Sequence, residues 1–429
     1  MQLNNNTNRG ESKMTEENMK KTPIALFDTM ENIVDENHAN VMDYSSIYKE
    51  FNPSDFAQAL EFLKNYTGSR GTFNSYRREI ERLLHWCWLV ANKALPEIEQ
   101  KDIEAFIQFC QKPPKAWISL KKAPRFINVN GGRTPNPEWR PFVVTLSKSA
   151  YRRGQRPDLG QFELSQGAVK ELFAILSSFY NYLLQKHYVF SNPITLIRQK
   201  SKFITTQQTA PKVRKLSDLQ WQYVINTADE LARQNPSIHE RSYFVMSSLY
   251  SMYLRISELV ATNRWTPTMN DFSVDDDGNW WFTTLGKGNK VRQIAVSDAM
   301  LESLKRWRRY LGLSGLPTAN DNTPLIPKLR GRGPVTTTTH IRRIVQHCFD
   351  EASIRLAKDG FNDEAETLME ATVHWLRHTA ISTDVKFRPR EHVRDDAGHS
   401  STSLTDRYVN IELRERHSSA KKKPLTEEV

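Results

Sequence analysis

One short stretch decides the architecture of this chain. Residues 201–212 carry no apolar periodicity and include Pro211, whereas the blocks on either side repeat apolar residues at helical spacing. Such a stretch reads as a linker, so the 429 residues divide into two lobes, each long enough to bury a core of its own.

The first lobe, residues 44–200, has four helical patterns and is expected to form a small bundle. Phe56, Leu60 and Leu63 mark the first stripe, and Ile80, Leu83, Leu84 and Trp88 mark the second, with Thr72 placed to cap it. Residues 95–109 supply the third and 166–186 the fourth. Residues 1–43 mix Asn, Glu, Lys and Met without periodicity and are expected to be a disordered tail. The second lobe, residues 213–416, is mixed. Helices are expected at 216–233, 240–262, 297–310, 338–356 and 364–382, with a short one opened by Pro389. Runs at 280–285 and 291–296 alternate as a hairpin. Residues 417–429 form a basic tail. The fold class is therefore mainly α with a small β-sheet (α+β).

An insertion at 113–161 interrupts the bundle between its third and fourth helices. It is rich in Pro, Gly and Trp, and its charges are mostly positive, Lys115, Lys121, Lys122, Arg125, Arg133, Arg140, Lys148, Arg152, Arg153 and Arg156 standing against Glu138 and Asp158. Beta-like runs at 126–129 and 142–146 suggest a hairpin. Aromatics interleaved with Arg and Lys favour a nucleic-acid backbone, and a solvated basic loop is the plainer alternative.

The overall charge points the same way. Sixty Lys and Arg against 49 Asp and Glu leave a net charge of +11, which suits a polyanionic partner. The three cysteines, Cys87, Cys110 and Cys348, sit in apolar or helical contexts and read as reduced core thiols rather than a disulfide framework. No run of apolar residues has the length of a membrane span, and no His/Cys spacing matches a zinc site. Neither a metal nor a cofactor is expected, and the expected location is the cytoplasm, with the nucleoid.

The second lobe then places a particular set of polar side chains in order: Arg255 in LRISEL, Lys287 in GKGNK, His374 and Arg377 in HWLRHT, His399 in GHSS, and finally Tyr408. Taken singly, each has a plain reading. Arg255 and Glu258 read equally as an i, i+3 ion pair, Gly286 to Lys290 as an ordinary hairpin turn, His374 as a core histidine and Tyr408 as a half-buried aromatic. Together they answer the needs of phosphodiester cleavage without a metal. Two guanidinium forks and two imidazoles can neutralise charge on the non-bridging oxygens. A phenol can attack, and a lysine on a turn can protonate the leaving oxygen.

In this order the residues resemble the signature of the tyrosine recombinase, or phage integrase, family: Arg, Lys, His-x-x-Arg, His or Trp, Tyr. The step of three from His374 to Arg377 and the step of nine from His399 to Tyr408 match it. The resemblance implies a two-lobed DNA clamp, with a core-binding helical domain in front of a catalytic domain. It also implies site-specific strand exchange through a 3′-phosphotyrosyl link, without metal or ATP, in the integration or excision of a mobile element. The implied catalytic residues are Arg255, Lys287, His374, Arg377, His399 and Tyr408, with Glu258 orienting an Arg. Expected DNA contacts are Arg77, Arg78, Lys121, Lys122, Arg125 and Lys290. Expected partners are double-stranded DNA, a homotetramer of this chain, and sister recombinases or a directionality factor, with no membrane. A type IB topoisomerase and a catalytically silent DNA-binding regulator are the alternatives. The silent regulator would be favoured by loss of an Arg or the Tyr, and none is lost.

Overall fold

The computed structural model describes residues 22–34, 44–48, 50–195, 197, 203, 214–286, 288–399 and 421. It divides into two compact units, Met1–Gln208 and Thr209–Val429. Among the described residues no helix is long and apolar enough to cross a membrane.

The first unit begins with α1 (Met30–Val34), α2 (Pro53–Lys64) and α3 (Arg70–Trp86). Asn52 caps α2, its side chain accepting from the N–H groups of Ser54 and Asp55, with Pro53 at the first helical position, where its missing N–H costs nothing. The cap of α3 is Ser69, not the expected Thr72, because Ser69 takes the extended backbone and accepts from the Thr72 N–H. Next come α4 (Gln100–Gln111), the insertion with β1 (Ile118–Ser119), β2 (Phe126–Val129), β3 (Gly132–Pro135), β4 (Phe142–Val143) and α5 (Lys148–Arg152), and then α6 (Gln166–Gln185). Helices α2, α3, α4 and α6 enclose one apolar core, centred on Phe62, Phe73, Leu83, Phe106, Leu176 and Phe179.

Two expectations fail in this unit for physical reasons. The β-like runs at 126–129 and 142–146 do not pair with each other. Phe126–Val129 folds back on Gly132–Pro135 through Asn130 and Gly131, both left-handed, while Phe142 lies parallel to Ile118. Residues 22–34 do not belong to a disordered tail. Pro23 to Phe27 form a segment without regular secondary structure, and Ala25, Leu26 and Phe27 are buried in the bundle. The N–H of Leu26 donates to Glu81 at 2.6 Å, and the Tyr44 hydroxyl donates to the Leu26 carbonyl. A short segment outside any helix has no helical period to betray it. The insertion is pinned to this segment, with Arg133 gripping Asp28 through Nε and Nη2 at 2.5 and 2.6 Å.

The second unit comprises α7 (Asp218–Gln234), α8 (Pro236–Ser251), a 3₁₀ turn at Ile256–Leu259, β5 (Phe272–Val274), β6 (Trp280–Leu285) and β7 (Val291–Ala295). It continues with α9 (Asp298–Tyr310), α10 (Thr338–Lys358), α11 (Asn362–Met369), α12 (Val373–Asp384) and α13 (Arg390–Ala397). The three strands form one antiparallel sheet in the order β5-β6-β7. Its core runs through Val224, Phe244, Leu249, Phe282, Ile294, Trp307, Phe349 and Leu376.

Two long helices expected here are each broken, and both breaks set up the site. The helix expected through 262 stops at Ser251 because Tyr253 turns left-handed, φ 49°, which frees the next residues for a 3₁₀ turn. The helix expected over 364–382 divides at Ala371 and Thr372. Ala371 is buried, and extended Thr372 starts α12 afresh, so His374 falls in a first helical turn.

Candidate active site

Arg255 precedes the 3₁₀ turn, and Glu258 folds back onto it. One Glu258 oxygen accepts from the Arg255 N–H at 2.8 Å, and the other accepts from the Arg255 guanidinium at 3.0 Å. Glu258 is only 2% exposed. Arg377 rises from α12 and is 6% exposed, with its two terminal nitrogens donating to the carbonyls of Tyr253 and Ala397. Those carbonyls lie two residues before Arg255 and two before His399. One guanidinium thus ties together the segments that carry Arg255 and His399.

His399 follows Gly398, which ends α13 in the left-handed conformation at φ 64°. Burial, then the charges of Arg377, Arg255 and Arg292 and of His378, bring its imidazole down to about 4. His374 is held below its ordinary value by partial burial and by Arg377, Arg342 and Arg255. Both shifts favour the neutral imidazole, which can accept a proton or donate one ring N–H. Arg255, Glu258, His374, Arg377 and His399 meet in one place, while Lys287 and Tyr408 lie outside the described residues.

The hairpin that carries Lys287 is described on both sides of it. Gly286 N–H donates to the Lys290 carbonyl at 2.8 Å, and Gly288 and Asn289 take positive φ, as a tight turn requires. A Cβ on Gly286 would meet Arg292 Nη1 at 3.4 Å and Arg255 Nη1 at 3.6 Å, so this end of the turn lies against the guanidiniums. Lys290 is exposed.

The polar segment before Gly398 has an internal use for its charges. Tyr253 donates its hydroxyl to Asp384, and Arg388 reaches the same hydroxyl at 2.8 Å and Asp396 at 2.6 Å. Asp396 in turn accepts from the Ala295 N–H at 3.2 Å, linking α13 to β7. Val393 and Ala397 pack with Ala380, Ile381 and Tyr253 beneath it.

Sequence reasoning missed Arg292, which grips both oxygens of Glu258 at 3.1 and 2.9 Å from β7. The signal was present in the alternation of the strand, since Arg292 lies two residues before core Ile294 and so must face inward with it. Gly398 packs directly on this side chain, and a Cβ there would lie 2.8 Å from Arg292 Cδ and 3.0 Å from Nη1. Gly398→Ala is therefore expected to destabilise the unit by about 1–3 kcal/mol, through a strained left-handed residue and a displaced arginine. Thermal unfolding checks it, and an unchanged midpoint would mean that the turn relaxes freely.

In the first unit the expected DNA contacts separate into two groups. Arg77 is buried and donates to the Asp28 carbonyl and to Asn74 at 2.8 Å. Arg125 pairs with buried Glu81, donates to the Phe27 carbonyl at 3.3 Å and lies over Trp139. Both hold the fold together, which corrects their assignment as DNA contacts. Arg78 is half-buried between Glu79 and Glu171. Lys121 and Lys122 are exposed, Lys121 standing 3.7 Å from Glu138. No cluster of three or more His, Cys, Asp or Glu able to hold a metal occurs among the described residues.

Comparison with known proteins matches this unit to a family. Residues 215–414 fit the model of the phage integrase family. The chain is 25% identical over 249 residues to the tyrosine recombinase XerC of Haemophilus ducreyi, covering 56% of this chain and 66% of the relative. It is 24% identical over 261 residues to XerC of Caldanaerobacter subterraneus, covering 59% of this chain and 62% of the relative. The match thus spans just under two thirds of those relatives. Among solved structures, the XerH site-specific recombinase bound to its palindromic difH substrate in a post-cleavage complex superposes with a TM-score of 0.53 at 14% identity, over 96% of this chain and 94% of that one, and so shares the fold. Residues 215–414 thus match a phage integrase domain, and the chain is similar to the XerC tyrosine recombinases.

Proposed function

We propose that the protein is a site-specific DNA recombinase, an integrase that cuts and rejoins strands through a covalent 3′-phosphotyrosyl intermediate. The observation that carries this reading is the Arg377 tie, which holds the segments bearing Arg255 and His399 to one guanidinium and sets His399 among the charges of Arg377, Arg255 and Arg292. Tyr408 attacks the scissile phosphate, and its proton passes to His374. Arg255 and Arg377 bind the non-bridging oxygens as charge builds on them, and His399 adds a hydrogen bond. Lys287 delivers the proton to the departing 5′ oxygen. The 5′-hydroxyl of a partner strand then attacks the phosphotyrosine, releasing Tyr408 and conserving the bond energy.

Exchange requires two duplexes to be cut in one assembly, so the working form is a homotetramer on DNA that serves a mobile element. Lys121, Lys122 and Lys290, which are exposed, are assigned to phosphates of the duplex, and Arg78 to the same role from its half-buried position. The domains follow the same reading, with residues 44–200 as the core-binding lobe and 213–416 as the catalytic lobe.

A nicked duplex that loses a short fragment after cleavage tests the chemistry. Incubated with chelator and without nucleotide, the wild-type protein is expected to form a denaturant-resistant adduct whose DNA-linked peptide contains Tyr408. Cleavage without an adduct would overturn the covalent mechanism.

A further inference from the structure

Arg255 and Arg292 share one carboxylate, and the sharing is unequal. Arg292 takes both oxygens of Glu258 through its two terminal nitrogens, at 3.1 and 2.9 Å. The Arg255 guanidinium takes one oxygen through a single terminal nitrogen at 3.0 Å, the other oxygen accepting the Arg255 backbone N–H at 2.8 Å, and the Arg255 side chain stays 27% exposed where that of Arg292 is 6% exposed. The Nε of Arg292 has no partner among the described residues, so its polar contacts are spent on this carboxylate alone. The fork faces inward from β7 between Gly398 and Gly286; a Cβ at Gly398 would displace it, while one at Gly286 would lie against it at 3.4 Å.

The charges explain why the arrangement matters. A buried carboxylate facing one guanidinium would pair with it fully, two oxygens to two nitrogens, and cancel its charge. A second guanidinium that claims both oxygens leaves the first oriented but not neutralised. We propose that Arg292 is a positioning residue that occupies Glu258 so that Arg255 keeps its remaining donors and its positive charge for a phosphate. The inference rests on the reading of Arg255 as a ligand of the scissile phosphate and adds a division of labour to it. Glu258 sets the direction of Arg255, and Arg292 prevents that aim from becoming a neutral pair.

The test is a set of variants on the nicked duplex under single-turnover conditions: Arg292→Met, Glu258→Gln and the two combined. Arg292→Met keeps the length and apolar bulk of the side chain but abandons Glu258 to Arg255. It is expected to slow cleavage roughly 30-fold or more, approaching the loss of one transition-state donor, while duplex binding changes little. Adding Glu258→Gln removes the charge that captures Arg255, so the double variant is expected to cleave roughly tenfold faster than Arg292→Met alone, a coupling of the size neighbouring groups show. A residue that merely braced β7 would give no such recovery.

Thermal unfolding and duplex binding of all three variants show whether each is folded, and Arg292→Lys supplies a charged control that cannot make the bidentate contact. A lysine variant that cleaves faster than Arg292→Met supports the charge-balancing role. A double variant no faster than Arg292→Met, with both folded and binding DNA, overturns the proposal. Wild-type cleavage matched within a few-fold by Arg292→Met overturns it as well and leaves the recombinase reading standing. Wild-type protein that forms no adduct overturns both.

Discussion

Arg377→Ala is expected to slow single-turnover strand cleavage by 10² to 10³ or more, the range for losing one preorganised donor at a developing negative charge, or about 3–4 kcal/mol in the barrier. The lower bound comes from chemistry alone. Arg377 also bridges the carbonyls of Tyr253 and Ala397 from a buried position. Its loss leaves both without that donor, at roughly 1–3 kcal/mol for each one buried, and unties the segments bearing Arg255 and His399. The thermal midpoint is therefore expected to fall by several degrees, at roughly 2–4 °C per kcal/mol for a unit of this size. Arg377→Lys should recover little of either effect, because an ammonium is a point charge that cannot span two diverging carbonyls. Cleavage within a few-fold of wild type would remove Arg377 from the mechanism, and an unchanged midpoint would remove it from the scaffold.

The dual use of Arg377 marks the limit of what the sequence discloses. Its identity and its spacing from His374 are legible because the chemistry of a phosphodiester demands particular side chains in a workable order. The carbonyls it grips are not legible, since every residue has one. The left-handed turn at Tyr253 is equally hidden, as a large aromatic rarely takes positive φ and gives no local cue. A helical pattern read across residues 240–262 therefore overran the break that delivers Arg255 to the site.

Charge was the least faithful guide. Arg77 and Arg125 belong to a basic sequence and a basic chain, yet both are interior ties to Asp28, Phe27 and Glu81. Composition counts charges without saying which are already paired. Helical periods fared better, since α2, α4, α6, α7, α9 and α10 all lie where apolar spacing put them, within the few residues by which caps and 3₁₀ turns shift helix ends. Arg292 shows the converse case. Alternation on β7 faced it inward with Ile294, and an inward arginine on a short strand calls for a buried acid, which Glu258 supplies.

Tyr408→Phe is expected to abolish the covalent adduct while leaving duplex binding within a few-fold of wild type. The substitution removes one oxygen and keeps the ring, so any packing of the side chain survives and only the nucleophile is lost. Reach permits the assignment: Tyr408 is nine residues beyond His399, and an extended chain of that length spans up to roughly 30 Å. His399 itself is held beside Arg377 by the turn at Gly398. Tyr310, the preceding tyrosine in the chain, stacks on Trp307 with its hydroxyl turned to the Ser237 carbonyl, so it is engaged in packing. Denaturing electrophoresis of labelled nicked duplex reads the result directly. An adduct that persists in the Phe variant assigns the attack to another side chain, and loss of the adduct together with loss of binding assigns Tyr408 a structural part instead.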